Sequence, residues 1–217
     1  MKIDMHVHTS EISGCAHLTA EETIRMYADA GYGAIVITNH YLQSYRKRFE
    51  AAGLDLLEEY KACYEKAKAY GEQYGVKVFC GFELRFNQND NDYLVYGMTF
   101  EDARDYDKIF TMTPREYSKF AEERGILFYQ AHPFRNNMTV VRPQYLFGIE
   151  AKNGNPRHDS RNEIAQSWAE RFGLHIIGGS DCHQSEDVGI SGIETDEDVN
   201  SLEELIEVLK KDAYRII

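Results

Sequence analysis

Five short apolar runs in this chain each end on side chains that can hold a metal ion: KIDMHVH at residues 2–8, GAIVITNH at 33–40, VKVFCGFE at 76–83, ILFYQAH at 126–132 and LHIIGGSDCH at 174–183. Runs of this length, bounded by glycine and polar turn residues, read as buried strands. Their ends carry His6, His8, His40, Glu83, His132, Asp181 and His183. Five strands that deliver ligands to one end imply a parallel, helix-wrapped sheet closed into a barrel, because sites in such barrels are built at the carboxyl rim. The pattern predicts a hydrolytic metal site there.

The segments between the strands support an α/β chain. Thr19 and Glu22 form a capping box that starts a helix running to Ala30, and Gly31 ends it. A charged amphipathic helix is expected from Leu54 to Tyr74, stopped by Gly75, and another begins at Pro114 and runs to Arg124. DYLVYGM at 92–98 adds a short strand, Tyr145–Ala151 a sixth strand and Ser160–Phe172 a helix. Ser201–Lys211 reads as a closing helix with Leu202, Leu205, Ile206 and Leu209 on its inner face. Seven strands with intervening helices, no internal repeat and no linker describe one domain over residues 1–217.

Composition excludes several partner classes. With 43% hydrophobic and 28% charged residues the chain is ordinary for a globular enzyme. No window approaches the ~20 apolar residues of a membrane span, and the start MKIDMHVHTS lacks a signal-peptide core, so a cytoplasmic protein is expected. Cys15, Cys63, Cys80 and Cys182 contain no CxxC pair and read as reduced thiols. A formal charge of −12 argues against long nucleic acid and anionic membrane as partners, since both require basic residues to meet phosphates. A small anionic substrate is compatible, because clustered cations make a pocket locally positive.

His6 and His8 project to one side of an extended strand, since side chains alternate with a period of two, and Asp181 and His183 repeat the spacing. Gly178 and Gly179 permit close backbone approach before them. Glu83 ends a strongly apolar strand, where an unpaired carboxylate is costly; it either pairs with Arg85 or bridges cations. The nitrogen and oxygen donors suit Zn²⁺, Mn²⁺ or Fe²⁺, and seven ligands exceed one tetrahedral site, so two or three ions are expected. Clustered ions of this kind serve phosphoryl transfer.

These motifs resemble the PHP (polymerase and histidinol phosphatase) family of metal-dependent phosphoesterases. The resemblance rests on DMHVHT from Asp4 to Thr9, ITNH from Ile37 to His40, the Glu83 of GFEL, QAHP from Gln130 to Pro133 and GSDCH from Gly179 to His183, and it spans nearly the whole chain. It implies a distorted (β/α)7 TIM-like barrel with up to three metals: His6, His8, Glu83 and Asp181 around one, Glu83 and His132 around a second, His40 and His183 around a third. Two departures stand out. The family often carries an Asp or His shortly after the first motif, where SEISGCAH offers Glu11 and His17 instead. A family histidine in the strand after the bridging Glu is replaced by Tyr93, which leaves two metals or a substitute such as Asp92.

For gripping phosphate, Arg135 is the foremost candidate, followed by Arg85, Arg157 and Arg161; the alternative for each is a surface ion pair. His158 is the candidate general acid, or else a solvated rim histidine. Tyr41, Tyr45 and the cations Arg46, Lys47 and Arg48 follow His40 in an expected loop, either over the pocket or merely packing the surface. The leading expectation is a phosphomonoesterase or phosphodiesterase acting through metal-bound hydroxide, with Asp181 and Arg135 in the reacting site. Histidinol phosphate, a nucleotide or a short oligonucleotide are the substrate types that the resemblance admits. An amidohydrolase is a second reading, weakened by Glu83 where that family has a lysine; a noncatalytic metal-stabilised module docking on a partner is a third. Oligomeric state is not readable.

Overall fold

The computed structural model describes residues Met1 to Ile217 and turns every apolar run into a strand. In chain order the elements are β1 (Lys2–Val7), α1 (Ala20–Asp29), β2 (Ala34–Ile37), β3 (His40–Tyr41), α2 (Gln43–Ala51), α3 (Leu56–Tyr74), β4 (Lys77–Arg85) and β5 (Asp92–Tyr96). Then come α4 (Phe100–Ala103), α5 (Tyr106–Thr111), α6 (Pro114–Arg124), β6 (Leu127–Gln130), β7 (Gly148–Asn153), α7 (Asn162–Phe172), β8 (His175–Gly179), β9 (Ile193–Glu194), α8 (Leu202–Lys210) and β10 (Arg215–Ile216). Helix boundaries follow local chemistry. Thr19 and Glu22 form the capping box that starts α1, Asp55 caps α3, and Gly75 and Gly125 end α3 and α6 in the left-handed conformation. No helix is long and apolar enough to cross a membrane.

The sheet is a distorted (β/α)7 barrel. β1 pairs in parallel with β2, β2 with β4, β6 with β7 and β7 with β8. β3 continues the path of β2 along the far half of β4, pairing His40 with Glu83. The ring nearly closes where Val7 bridges Cys182, with His8 N–H donating to Cys182 O at 3.0 Å. β9 and β10 extend the sheet outside the barrel, β9 antiparallel to β1 and β10 antiparallel to β9.

The all-parallel expectation fails at one strand. β5 runs antiparallel to both β4 and β6, because residues 86–91 are too few for a crossover helix and can only make a hairpin. The reversal puts the beginning of β5, at Asp92, on the same rim as the ends of its neighbours. Three other boundaries moved. The sixth strand starts at Gly148 rather than Tyr145, since Pro143–Tyr145 forms a single 3₁₀ turn. The expected loop after His40 contains α2, and α4 and α5 fill the stretch before α6. Tyr41 is fully buried rather than over the pocket, and its hydroxyl donates to Ala103 O at 2.6 Å.

Strict alternation would send Met5 and His6 to opposite faces of β1. Both point inward, because the pairing with β2 shifts register between Asp4 and Val7. Met5 packs with Leu94, Leu127 and Tyr129 inside the barrel, whereas Val7 packs outward with Ile24 and Tyr27 of α1. A bulge of this kind re-aims side chains at a sheet's functional edge. Asp4 pins it: its carboxylate accepts from His6 N at 3.1 Å, Ser180 N at 3.0 Å and the Tyr27 hydroxyl at 2.6 Å. β7 carries a second shift between Glu150 and Lys152, which turns both Glu150 and Asn153 toward the same interior.

Candidate metal centre

Glu83 is the hub of the rim. At 1% exposure, its Oε1 lies 3.3 Å from His6 Nε2 and 3.2 Å from His132 Nε2. Its Oε2 lies 3.4 Å from His8 Nε2 and 2.6 Å from His40 Nδ1. Asp181 Oδ1 sits 3.5 Å from both His6 Nε2 and His8 Nε2, and 3.3 Å from His183 Nδ1. The seven residues expected from the sequence therefore converge. Three overlapping groups have ligand atoms within 4.8 Å of one another: His6, His8 and Glu83; Glu83, Asp92 and His132; His8, His40 and His183.

Several of these buried atoms make no hydrogen bond. His40 Nδ1 and Glu83 Oε2 approach to 2.6 Å without hydrogen-bond geometry, and His132 Nδ1 is likewise unpartnered. Unpaired buried polar atoms are costly in a folded chain. Imidazole lone pairs and a carboxylate aimed at shared points are what divalent cations require, so the donor set fits metal ions. The charges agree. Burial opposes charge on Glu83 and Asp181, yet the surrounding histidines, chiefly His40 and His6 for Glu83 and His6 for Asp181, hold both carboxyls well below the usual range. Burial likewise opposes charge on His6 and His40, but Asp181, Glu150 and Glu83 around His6, and Glu83 beside His40, hold both imidazoles well above their ordinary value. Protons supply the positive charge that the carboxylates demand. His8 goes the other way, lowered by burial and by the charge of His183.

The backbone is bent to this purpose. His132 and Asp181 occupy the left-handed region with φ of 36° and 54°. Such conformations are costly for residues with a Cβ and concentrate at functional sites. Gly179 provides room: a Cβ there would stand 2.5 Å from the His6 Cβ and 3.0 Å from Glu150 Oε1. Gly179→Ala is expected to destabilise the chain by about 1–3 kcal/mol through overpacking and to lower metal retention by displacing His6. Thermal melts and metal analysis of the variant check both.

The lower-ranked sequence candidates part ways. Asp92 lies in the group with Glu83 and His132, at 4.0 Å from His132 Nε2, and Arg85 clasps both its oxygens at 2.7 Å. Glu11 is corrected: its carboxylate accepts the Ala20 N–H at 2.9 Å, serving the start of α1 instead of the rim. His17 is exposed at the cavity edge and belongs to none of the three ligand groups. Tyr93 is fully buried among Phe86 and Phe128, off the rim.

Among the arginines, Arg135 donates to Asp181 Oδ2 and Asn153 Oδ1, each at 2.9 Å, and keeps a buried Nε–H without a partner. Arg157 is committed to both oxygens of Asp187 at 2.6 Å, and Arg85 to Asp92. Arg161 is corrected as a phosphate ligand. It bonds Phe134 O and Asn136 Oδ1 outside the cavity. His158 is exposed at the mouth, and burial together with the Arg135 charge lowers its pKa.

Sequence reasoning missed two residues. Glu150 Oε1 accepts from His6 Nδ1 at 2.9 Å while Oε2 accepts the His132 N–H at 2.9 Å, so one buried carboxylate orients two candidate ligands. A carboxylate inside the apolar run at 148–151 was the available signal. Cys15 is the other. Burial alone would raise its thiol, but the His183 and His40 rings outweigh this and bring it down to about 5. The enclosing cavity is about 470 Å³, and only two of its 15 lining residues are hydrophobic. A groove of about 700 Å³ between α7 and the C-terminal strand is larger, but it holds none of the three ligand groups.

Residues 159–214 match a family model described as PHP-associated. A two-domain protein from Bacteroides vulgatus containing a predicted PHP-like metal-dependent phosphoesterase superposes with a TM-score of 0.64 at 18% identity, over 100% of this chain and 64% of that one. This chain shares that protein's fold. A Bifidobacterium adolescentis protein described as a metal-dependent phosphoesterase superposes with a TM-score of 0.57 at 14% identity, over 96% of each chain. Endonuclease Q, solved with a 27-mer duplex substrate bearing an abasic lesion at its active site, gives a TM-score of 0.60 at 15% identity over 97% of this chain. The chain spans 56% of that enzyme and just under two thirds of the B. vulgatus protein. No curated protein matches its sequence.

Proposed function

We propose that this protein is a metal-dependent phosphoesterase acting on a small phosphorylated metabolite. The observation that carries the reading is Glu83, one buried carboxylate whose two oxygens face four imidazoles. His6, His8, Glu83 and Asp181 would hold one ion, Glu83, His132 and Asp92 a second, and His40 and His183 a third, with Zn²⁺, Mn²⁺ and Fe²⁺ the fitting metals. Bound there, the ions supply Lewis acidity and lower the pKa of water, the chemistry that phosphoester hydrolysis needs.

The chain's own residues do the rest. Arg135 holds Asp181 in place and still has a free N–H for a phosphate oxygen, whereas Arg85 and Arg157 are occupied. Arg157 and His158 stand at the mouth, where an entering phosphate would offset the Arg135 charge that disfavours protonation of His158 and so fit it to donate a proton to the leaving oxygen. The charged lining and small volume favour a compact anion over an extended polymer.

Phosphate release from a panel of monoesters, including histidinol phosphate and nucleotides, tests the class. Diesters and an abasic-site duplex belong in the same panel, given the likeness to endonuclease Q. Metal-dependent release from at least one compound is expected; none across metal-loaded preparations would sink the reading. Arg135→Lys should lose about 10–100-fold in kcat/KM, because lysine cannot clasp both Asp181 and the phosphate. Wild-type kcat/KM in that variant would remove Arg135 from the site.

A further inference from the structure

The rim carries one thiol that the ligand set above does not use. Cys15 is the exposed cysteine of the four and lines the same cavity as His40 and His183. Its Sγ lies 3.8 Å from the Tyr45 hydroxyl, and the Tyr45 ring stands 5.3 Å from that of His40. Its position is built, because the turn that carries it is tied down on either side. Ser13 Oγ donates to Asn39 Oδ1 at 2.8 Å, accepts the His40 N–H at 3.0 Å and meets His8 Nδ1 at 3.0 Å. On the other side, His17 N–H donates to His183 O at 2.7 Å.

The group facing this thiol draws its carboxylates from the inner side alone. The His8, His40 and His183 ligand atoms lie within 4.8 Å of one another; Glu83 Oε2 reaches His8 and His40, and Asp181 Oδ1 reaches His8 and His183, so no carboxylate oxygen reaches both His40 and His183. Glu83 serves the inner side of the centre. His183 Nδ1 sits 2.8 Å from Asp181 O, which leaves Nε2 as its free nitrogen. On the outer side neither expected donor arrives, since Glu11 is engaged at Ala20 and His17 stands outside the group. Cys15 lines the cavity on that side, between the anchored Ser13 and His17.

We propose that Cys15 is a metal ligand, its thiolate joining His40 and His183 around the outermost ion of the centre. The inference rests on the metal centre proposed above. The sulfur binds as thiolate, any proton it carries leaving to solvent as the sulfur–metal bond forms, and no electron changes hands. Thiolate is the softest donor of the set, so this ion site should favour Zn²⁺, Fe²⁺ or Co²⁺ over Mn²⁺ and Mg²⁺, while the nitrogen and oxygen sites remain permissive.

Cobalt(II) makes the ligand visible. The chain loaded with Co²⁺ should show a near-ultraviolet thiolate-to-cobalt charge-transfer band and resist alkylation of Cys15 by iodoacetamide relative to the metal-free chain. Cys15→Ser should lose the band and one equivalent of cobalt. Cys15→His should recover the equivalent without the band. Cys182→Ser, altered at a buried thiol that packs outward against α1, should retain both. Cobalt uptake with no charge-transfer band, or a band that survives Cys15→Ser, would overturn the assignment while leaving the metal centre standing. A chain that takes up no cobalt, zinc or manganese would remove the centre and this ligand together.

Discussion

Glu83→Gln is expected to fold, to lose its metal, and to hydrolyse phosphoesters at least about 10³-fold more slowly than the parent chain, a loss on the scale of removing a principal electrostatic stabiliser. The amide keeps the shape of the side chain but offers no negative charge to His6, His8, His40 and His132, the four rings that its oxygens face. Cations that the carboxylate drew together would then repel one another across the rim. The metal-free variant also loses a buried ion pair, for which breakage costs about 3–5 kcal/mol when the stranded charge cannot neutralise. Here the histidines can shed their protons, so the cost falls below that range and the barrel survives. Far-ultraviolet circular dichroism, metal analysis and phosphate release separate the outcomes. Parent-level metal content and turnover in Glu83→Gln would refute the bridging role. An inactive parent chain whose variant unfolds would favour a metal-stabilised module over an enzyme.

The convergence on Glu83 was legible because strand-end position and two-residue alternation are both written locally. His6-Val7-His8 and Asp181-Cys182-His183 announce paired ligands by spacing alone, and the apolar runs announce the strands. What lay outside that code was set by contacts distant in sequence or by departures from regular pairing. The bulge after Asp4, which turns His6 inward beside Met5, depends on Tyr27 and Ser180 bonding to Asp4. Arg157 looked free until the fold delivered Asp187, and Arg161 until it met Phe134 and Asn136. The antiparallel β5 was within reach, since the short 86–91 connection already forbade a crossover, and with it came the pairing of Arg85 with Asp92. Cys15 was unreadable as a site residue because its turn has no periodicity; hydrogen bonds through Ser13 and His17 place it.

Divalent metal should raise the melting temperature of the chelated chain by roughly 10 °C at alkaline pH and by much less in acid. Saturation at about 1,000 times the dissociation constant stabilises a chain by about 4 kcal/mol per ion. For a chain of this size each kcal/mol moves the midpoint by about 2–4 °C. The direction with pH follows from the proton occupancy of the ligands. Without metal, burial disfavours charge on His6 and His40, but their carboxylate neighbours raise both above the ordinary 6.5. Their protonation contributes stability that is full below 6.5 and lost as pH rises through the raised folded values. Glu83 and Asp181, depressed from 4.5 and 3.8, contribute stability above those values and lose it only as pH falls through the lowered ones. The metal-free chain therefore weakens on the alkaline side. Metal requires the same imidazoles neutral, so its affinity climbs as those protons leave, and the two melting curves diverge with rising pH. Calorimetry with and without Zn²⁺ or Mn²⁺, on either side of pH 6.5, reads the divergence; a metal increment that is constant, or that grows toward acid, would take His6 and His40 out of the ligand set. Proton release on metal addition should come from His6, His40 and His183 and not from His8, which burial and the His183 charge already keep neutral.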